Sequence, residues 1–235
     1  MEELKKGDFI ELDYTGTLKE DNSVFDTTDK AVAEKNDINP EISEFGPVII
    51  CLGEGMLLKG LEDKIEGKEI GKEYTFDISV ENAFGKKDAK MVRMIPMSAF
   101  RKNQIMPEAG MPVNIDGMTG TVKTVSGGRC MVDFNHPLSG KELVYKVKVN
   151  RKVDDDKEKL NSFLKLMLDI KNAEIEIKEG KAAVKIEKDM PKELSENIVP
   201  EIKRMIPSIK EVIFEKKQKQ AVQEKAKKAE NKPSL

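Results

Sequence analysis

The sequence predicts an α+β protein: an antiparallel β-sheet wrapped on a short helix, with an inserted small β domain and a C-terminal α+β domain. Apolar and polar residues largely alternate in residues 8–17, 69–80 and 141–149, which is the period of a strand with one buried face. Between the first two segments, residues 57–65 change to the spacing of an amphipathic helix. Strands that surround one short helix indicate the α+β class.

The first strands follow one another with polar connections. Residues 8–17 read DFIELDYTGT, and after a polar turn the strand pattern resumes at residues 24–28. Residues 29–46 are polar and contain Asn-Pro and Gly-Pro pairs, which predicts a loop. Residues 48–52 form a short continuous apolar run, whose length is typical of a buried strand.

A helix and a further strand come next. Four apolar residues share one face of the predicted helix: Leu57, Leu58, Leu61 and Ile65. Gly67 follows at the place where a glycine commonly ends a helix. Four residues share one face of the next strand: Tyr74, Phe76, Ile78 and Val80.

Methionine is concentrated in residues 86–138. This segment contains seven methionines: Met91, Met94, Met97, Met106, Met111, Met118 and Met131. Glycines and prolines separate its short apolar stretches, which predicts a compact β unit with exposed apolar loops. The alternating residues 141–149 that follow are expected to pair with the strands of the first sheet.

The residues after Val153 predict a separate small α+β domain. Five residues form a helical stripe: Leu160, Phe163, Leu164, Met167 and Leu168. Two strands at 173–177 and 183–186, a helix through 194–205 and a strand at 212–214 follow. The stripe is wide for so small a domain, and we therefore expect a homodimer contact here.

The bulk composition excludes several partners. Charged residues make up 36% of the chain but nearly cancel to a net charge of -2, so no strong attraction to nucleic acid or a membrane surface is expected. Residues 215–235 hold seven lysines without an aromatic residue for base stacking, which favours a solvated tail over a nucleic-acid contact. No apolar run spans a bilayer, no signal peptide is recognised, and two distant cysteines predict reduced thiols in a cytoplasmic protein.

The residue inventory also argues against cofactor and metal chemistry. His136 is the one histidine, which argues against histidine-based metal sites and a Ser-His-Asp triad. The glycines of residues 53–60 lack the spacing of a dinucleotide or phosphate loop. Neither a cofactor nor a metal is therefore expected, and by periodicity alone the remaining aromatic and aliphatic residues are core.

Short motifs in a fixed order resemble the FKBP family of peptidyl-prolyl cis-trans isomerases. They are Tyr14-Thr15-Gly16, Val24-Phe25-Asp26, residues 52–62 (LGEGMLLKGLE), residues 67–71 (GKEIG) and Ala83-Phe84-Gly85. After the interruption, residues 135–141 (NHPLSGK) resemble the SlyD-like branch, in which a chaperone domain is inserted in the flap over the pocket. The resemblance covers residues 1–153, and archaeal long-form members carry a C-terminal extension.

The resemblance implies domains, activity and site residues. The isomerase domain would comprise residues 1–85 and 139–153, the insert-in-flap chaperone domain 86–138, and the C-terminal domain 154–235. The catalytic pocket would be lined by Tyr14, Phe25, Asp26, Leu57, Leu58, Leu61, Phe84 and Tyr145. Substrate would also be bound by Val48 and by the insert residues Met91, Met94, Ile95, Met97, Phe100 and Ile105. The partners implied are unfolded or proline-containing polypeptides.

Two positions depart from the family pattern. Leu61 stands where many members have a tryptophan at the pocket floor, and Phe84 replaces a frequent tyrosine. The histidine-rich tail common in SlyD-like proteins is absent from this sequence, so nickel delivery is not inferred. Besides an isomerase with chaperone activity, two alternatives remain: a holdase with a vestigial pocket, and a scaffold that dimerises through the C-terminal domain.

Overall fold

The computed structural model describes residues 3–38, 45–102 and 104–217. It combines helices with sheets in which most strand pairs are antiparallel, which agrees with the predicted α+β class. Its contacts separate two compact units, each described by itself below. The first contains Met1–Lys6, Glu11–Val48 and Leu52–Arg151, and the second contains Gly7–Ile10, Ile49–Cys51 and Lys152–Leu235. Within the described ranges, no helix is both long and apolar enough to cross a membrane.

The main sheet has five strands. They are β1 (Phe9–Leu18), β2 (Val24–Thr27), β3 (Val48–Cys51), β4 (Glu73–Ile78) and β9 (Leu143–Lys152). Their order is β2-β1-β9-β4, and β3 pairs with β1. The predicted strand at 141–149 therefore does join the first sheet. Its inward side chains alternate, because Leu143, Tyr145, Val147 and Val149 are all buried.

Helix α1 (Lys30–Lys35) lies where the sequence analysis expects only a loop. That expectation is wrong because Asp29 caps the helix by accepting hydrogen bonds from the N–H groups of Ala31 and Val32. The fully buried Ala33 anchors the helix on the core, although its surroundings in sequence are polar. The remainder of the predicted loop, residues 39–44, lies outside the described residues.

Helix α2 (Lys59–Ile65) is shorter than predicted. Leu57 and Leu58 precede it, so the predicted helical face holds only for Leu61 and Ile65, which are both buried. Gly67 follows the helix with φ +74°, a conformation that glycine adopts without steric cost. Strand β4 also ends before Val80, which instead begins a single 3₁₀ turn, Val80–Asn82.

The methionine-rich segment forms a four-stranded sheet with the order β5-β8-β7-β6. The strands are β5 (Val92–Pro96), β6 (Pro112–Ile115), β7 (Met118–Ser126) and β8 (Arg129–Asp133). Its core consists of Phe100, Val113, Val122, Cys130, Val132 and Phe134. A short helix that the sequence analysis does not expect, α3 (Met97–Lys102), supplies Phe100 to this core.

The second unit contains the C-terminal elements. They are α4 (Asp156–Leu168), β10 (Glu174–Lys178), β11 (Lys181–Ile186), α5 (Lys192–Met205) and β12 (Glu211–Lys216). Strand β11 pairs antiparallel with β10 and parallel with β12, so α5 is the crossover between parallel neighbours. The elements match those predicted, and Asp155 caps α4 at the N–H of Glu158.

Residues from β1 and β3 belong to this second unit as well. The Val153 N–H donates to the Phe9 carbonyl oxygen at 2.8 Å. Ser162 of α4 donates through its hydroxyl to the carbonyl of Ile49, and Lys152 is paired with Asp8 at 3.0 Å. The C-terminal elements are thus packed together with short pieces of the first and third strands.

Candidate active site

Tyr14 and Asp26 form the polar part of the candidate site. The Tyr14 hydroxyl donates a hydrogen bond of 2.9 Å to Oδ2 of Asp26. Strands β1 and β2 pair antiparallel with Gly16 opposite Asp26. Tyr14 lies two residues before Gly16, on the same face of β1, so the side chains of Tyr14 and Asp26 meet on that face. Burial, reinforced by the charge and the hydrogen bond of Asp26, raises the pKa of Tyr14 above its ordinary value. Tyr14 is therefore a neutral donor at physiological pH.

Three aromatic rings meet beside this hydrogen bond. The centroid of Tyr145 lies 5.9 Å from that of Tyr14 in a tilted arrangement and 5.8 Å from that of Phe25 in an edge-to-face arrangement. Such geometries are favourable because the positive edge of one ring meets the negative face of another. Tyr145 is 4% exposed, and burial first and the Asp26 charge second raise the pKa of its phenol.

Gly16 allows these rings to approach the backbone of β1. A Cβ atom at this position would lie 2.7 Å from Cζ of Phe25 and 3.0 Å from Cε1 of Tyr145. Both distances are too short for carbon atoms that are not bonded to each other. Any side chain at position 16 would therefore push Phe25 or Tyr145 out of the cluster.

The aliphatic residues of the predicted pocket lie in the loop from Leu52 to Leu58 and in the elements on either side of it. Leu57 and Leu58 are half-buried, whereas Leu61 on α2 is completely buried. The Leu58 carbonyl accepts the N–H groups of Leu61 and Glu62 at the start of α2. Among the described residues, the Leu58 N–H has no hydrogen-bond acceptor. Val48, the other predicted pocket residue near this loop, is half-buried at the start of β3.

Glu62 holds the same loop through hydrogen bonds to its backbone. Its side chain is 4% exposed, and its two oxygens accept three backbone hydrogen bonds. Oε2 accepts the N–H groups of Gly53 at 2.9 Å and Gly55 at 3.2 Å, and Oε1 accepts that of Leu57 at 2.8 Å. Glu62 ends the motif at residues 52–62, but sequence reasoning assigned it no role, because its bonds to the loop are made only in the folded chain.

Phe84 lies where the chain enters the methionine-rich segment. Its ring stacks on that of His136 with centroids 4.2 Å apart and planes within 3° of each other. The Phe84 carbonyl also accepts the hydroxyl of Ser139, and the Gly85 carbonyl accepts the N–H of Gly140 at 2.8 Å. The structure thus joins Phe84 to the residues where the chain leaves the segment.

Asp133 and Asn135 complete this junction. Asp133 accepts hydrogen bonds from the backbone and side chain of Asn135, and Lys87 donates to it at 3.0 Å. Asn135 also accepts the Asp88 N–H and donates to the Asp88 carbonyl. Burial alone would raise the pKa of Asp133, but the bonds from Asn135 and Lys87 outweigh burial and lower it to about 2.

The predicted binding residues of the methionine-rich segment occupy different depths. Met94 is 58% exposed, whereas Phe100, which is also predicted to bind substrate, is 3% exposed and does not lie on the surface. It is buried because α3 turns it into the core of the sheet. Four further predicted residues are partly buried against that core: Met91, Ile95, Met97 and Ile105. Two methionines that were not predicted as binding residues are exposed: Met106 and Met131.

The segment also contains a cavity of about 460 Å³ beside its short helix. Ile95, Phe100 and Ile105 contribute to its lining, together with polar residues such as Lys102 and Asp116. No group of three His, Cys, Asp or Glu side chains that could hold a metal ion occurs in the described part of the chain.

The chain is similar to several known proteins. Residues 93–138 match the family model described as the IF domain of FKBP26. A short-type peptidyl-prolyl cis-trans isomerase of Methanocaldococcus jannaschii is 34% identical over 146 residues, which cover 62% of this chain and 92% of that protein. A probable FKBP-type 16 kDa peptidyl-prolyl cis-trans isomerase of Pseudomonas fluorescens is 32% identical, with 49% of this chain and 79% of that protein covered. The isomerase SlyD of Vibrio cholerae is also 32% identical, over 44% of this chain and 53% of its own length.

Proposed function

Because the chain belongs to the FKBP-type peptidyl-prolyl cis-trans isomerases, we propose that it accelerates proline-limited protein folding while its insert holds the unfolded substrate. The observation that carries the isomerase assignment to particular residues is the cluster of Tyr14, Asp26, Phe25 and Tyr145, in which one hydrogen bond sits among three rings.

The reaction needs little from the protein except a suitable environment. Rotation about an amide C–N bond is opposed by a barrier of about 18–20 kcal/mol, because resonance gives that bond double-bond character. In the transition state the amide is twisted and less polar than in the planar form, so an apolar pocket favours the twisted state. Lowering the barrier by about 4 kcal/mol accelerates the reaction roughly a thousandfold.

The pocket residues divide into apolar and polar groups. Leu57, Leu58, Leu61 and Tyr145 hold the proline ring, with Val48, Phe25 and Phe84 completing the apolar wall. Asp26 and Tyr14 orient the peptide through polar contacts, and the N–H of Leu58 binds a substrate carbonyl. This assignment is supported by the Leu58 N–H, which has no acceptor within the described residues.

The insert supplies a second, less specific contact. Exposed methionine side chains are flexible and polarizable, so they adapt to many apolar sequences. A polypeptide held there stays close to the pocket, at an effective concentration on the order of millimolar. Met94, Met91, Ile95, Met97 and Ile105 are the predicted contacts. Phe100 contributes through the cavity of α3 and not through an exposed surface.

A holdase with a vestigial pocket is the second candidate. Two observations favour it: Leu61 provides a smaller floor than tryptophan, and Phe84 lacks a hydroxyl and already stacks on His136. The two candidates make opposite predictions for a small substrate that cannot reach the insert.

Isomerisation of an X-Pro tetrapeptide by the full-length chain distinguishes them. An isomerase accelerates the tetrapeptide and also a refolding reaction limited by proline. A holdase leaves both rates unchanged but suppresses aggregation of an unfolded protein. Absence of tetrapeptide turnover by correctly folded protein would overturn the proposed isomerase function.

A further inference from the structure

We infer that Glu62 is a positioning residue, whose carboxylate holds the loop that presents the Leu58 N–H to the substrate. This inference rests on the proposed function, because it concerns how the same pocket binds a peptide carbonyl. Its basis is the set of contacts made by Glu62 within the first unit.

The loop begins with turns and contains two glycines with positive φ. It connects β3 to α2 and includes Gly53 with φ +90° and Gly55 with φ +71°, two backbone conformations that few other residues adopt. Glycines in a loop leave many alternative conformations open, so additional bonds to their N–H groups restrict the loop. In this loop, the N–H groups of both glycines are held by one oxygen of Glu62.

The other oxygen acts directly beside the proposed donor. It accepts the N–H of Leu57 at 2.8 Å, one residue before Leu58. On the other side, the Leu58 carbonyl is held by the first turn of α2. The backbone is therefore held on both sides of the peptide group between Leu57 and Leu58, whose own N–H remains available for a ligand.

Glu62 is suited to this role by its charge and burial. It is 4% exposed, and the hydrogen bonds that its oxygens accept come from backbone N–H groups. Its negative charge is stabilised by three backbone N–H groups, and hydrogen bonds to an ionised acceptor are stronger than neutral ones. A buried charge of this kind is costly unless such bonds are made, so the loop conformation and the carboxylate depend on each other.

The role differs from that of the groups proposed to contact the rotating amide. A donor that binds a peptide carbonyl equally in the ground state and the transition state contributes to KM and not to kcat. Disordering the Leu58 donor through Glu62 therefore weakens substrate binding and leaves turnover of the bound peptide intact.

The test compares Glu62→Gln with Asp63→Asn in the full-length chain. Gln has the same shape as Glu but keeps only one acceptor oxygen, so it loses bonds to the loop. Asp63 is the next residue on α2, is exposed, and undergoes the same loss of charge. We expect Glu62→Gln to raise KM for an X-Pro tetrapeptide about tenfold with kcat within about threefold of the parent chain, and Asp63→Asn to change neither.

A purely structural role has a different signature. Partial unfolding removes active molecules, so it lowers apparent kcat and leaves KM unchanged. An unchanged KM in Glu62→Gln would overturn the inference while leaving the proposed function intact, whereas absence of turnover by the parent chain would overturn both. If Glu62→Gln does not fold, Glu62→Asp, which keeps the charge but is one methylene shorter, is used with the same criterion.

Discussion

Removal of the carboxylate of Asp26 should reduce isomerase activity, and the size of the loss can be estimated from its contacts. The Tyr14 hydroxyl donates to this carboxylate at 2.9 Å in a partly buried setting. A hydrogen bond to a charged group contributes about 1.5–3 kcal/mol. Since each 1.36 kcal/mol changes a rate about tenfold, Asp26→Ala should lower kcat/KM roughly ten- to a hundredfold if this bond orients the substrate.

Tyr14→Phe separates the hydrogen bond from the carboxylate itself. If Asp26 acts only through Tyr14, each single variant and the double variant should lose activity to the same extent. If Asp26 also contacts the peptide, Asp26→Ala should lose more. Coupling between two groups in direct contact commonly amounts to about 0.5–3 kcal/mol, which a double-mutant cycle resolves.

The assay is isomerisation of an X-Pro tetrapeptide, with folding of each variant checked by circular dichroism. Tyr74→Phe and Asp77→Ala are matched controls, because they delete the same groups on β4. Tyr74 accepts a backbone N–H of Glu69, and Asp77 pairs with Lys19 at the surface, where an ion pair contributes little. Wild-type activity in folded Asp26→Ala and Tyr14→Phe would refute the assignment of the pocket.

Three further results are expected. Replacing residues 86–138 by a short turn should leave the rate of tetrapeptide isomerisation within about tenfold of that of the parent chain. Catalysis of proline-limited refolding should fall about ten- to a hundredfold, because the substrate is no longer held near the pocket. Equal losses on both substrates would make the insert part of the active site. Asp133 should stabilise the fold fully above its ordinary pKa of 3.8, and this contribution should be lost as the pH falls from about 4 towards its folded value of about 2. The difference in unfolding free energy between the parent chain and Asp133→Asn should therefore shrink over that pH window, and a constant difference would contradict the linkage. If the exposed Leu166 and Met167 of α4 form a homodimer contact, substitution of both by Glu should shift the full-length chain from dimer to monomer in sedimentation. A parent chain that is already monomeric at high micromolar concentration would exclude the dimer.

The periodic elements could be predicted because their side chains report the faces that are buried. In β9, Leu143, Tyr145 and Val147 alternate with Lys146 and Lys148, and the structure buries the first set while it exposes the second. For the same reason, the helical stripe of α4 predicts the burial of Leu160, Phe163 and Leu164, and the structure buries all three. Helix α1 was missed because its stability comes from the Asp29 cap and one buried alanine, which leave no apolar period.

The candidate site was predictable only in part. Motif resemblance pointed to Tyr14, Asp26 and Tyr145, and the structure brings these residues together. Glu62 ends the motif at residues 52–62, but the motif does not reveal its role, which depends on bonds to N–H groups that lie five to nine residues before it. Phe100 is predicted to bind substrate but lies in the core, because sequence alone cannot tell which apolar residue of a short, irregular segment turns inward.

By itself, the sequence determined the α+β class, the order of most strands and helices, and the family to which the ordered motifs belong. These properties depend on local spacing and residue type, which the chain displays directly. The tertiary structure decided which distant groups meet: the acceptor of the Tyr14 hydroxyl, the ring that stacks on Phe84, and the carboxylate that braces the loop before α2. Such contacts arise when strand register and loop closure bring residues that are distant in sequence within about 3 Å of each other. They depend on single pairs of residues and not on a repeated spacing, so no periodic pattern in the sequence predicts them.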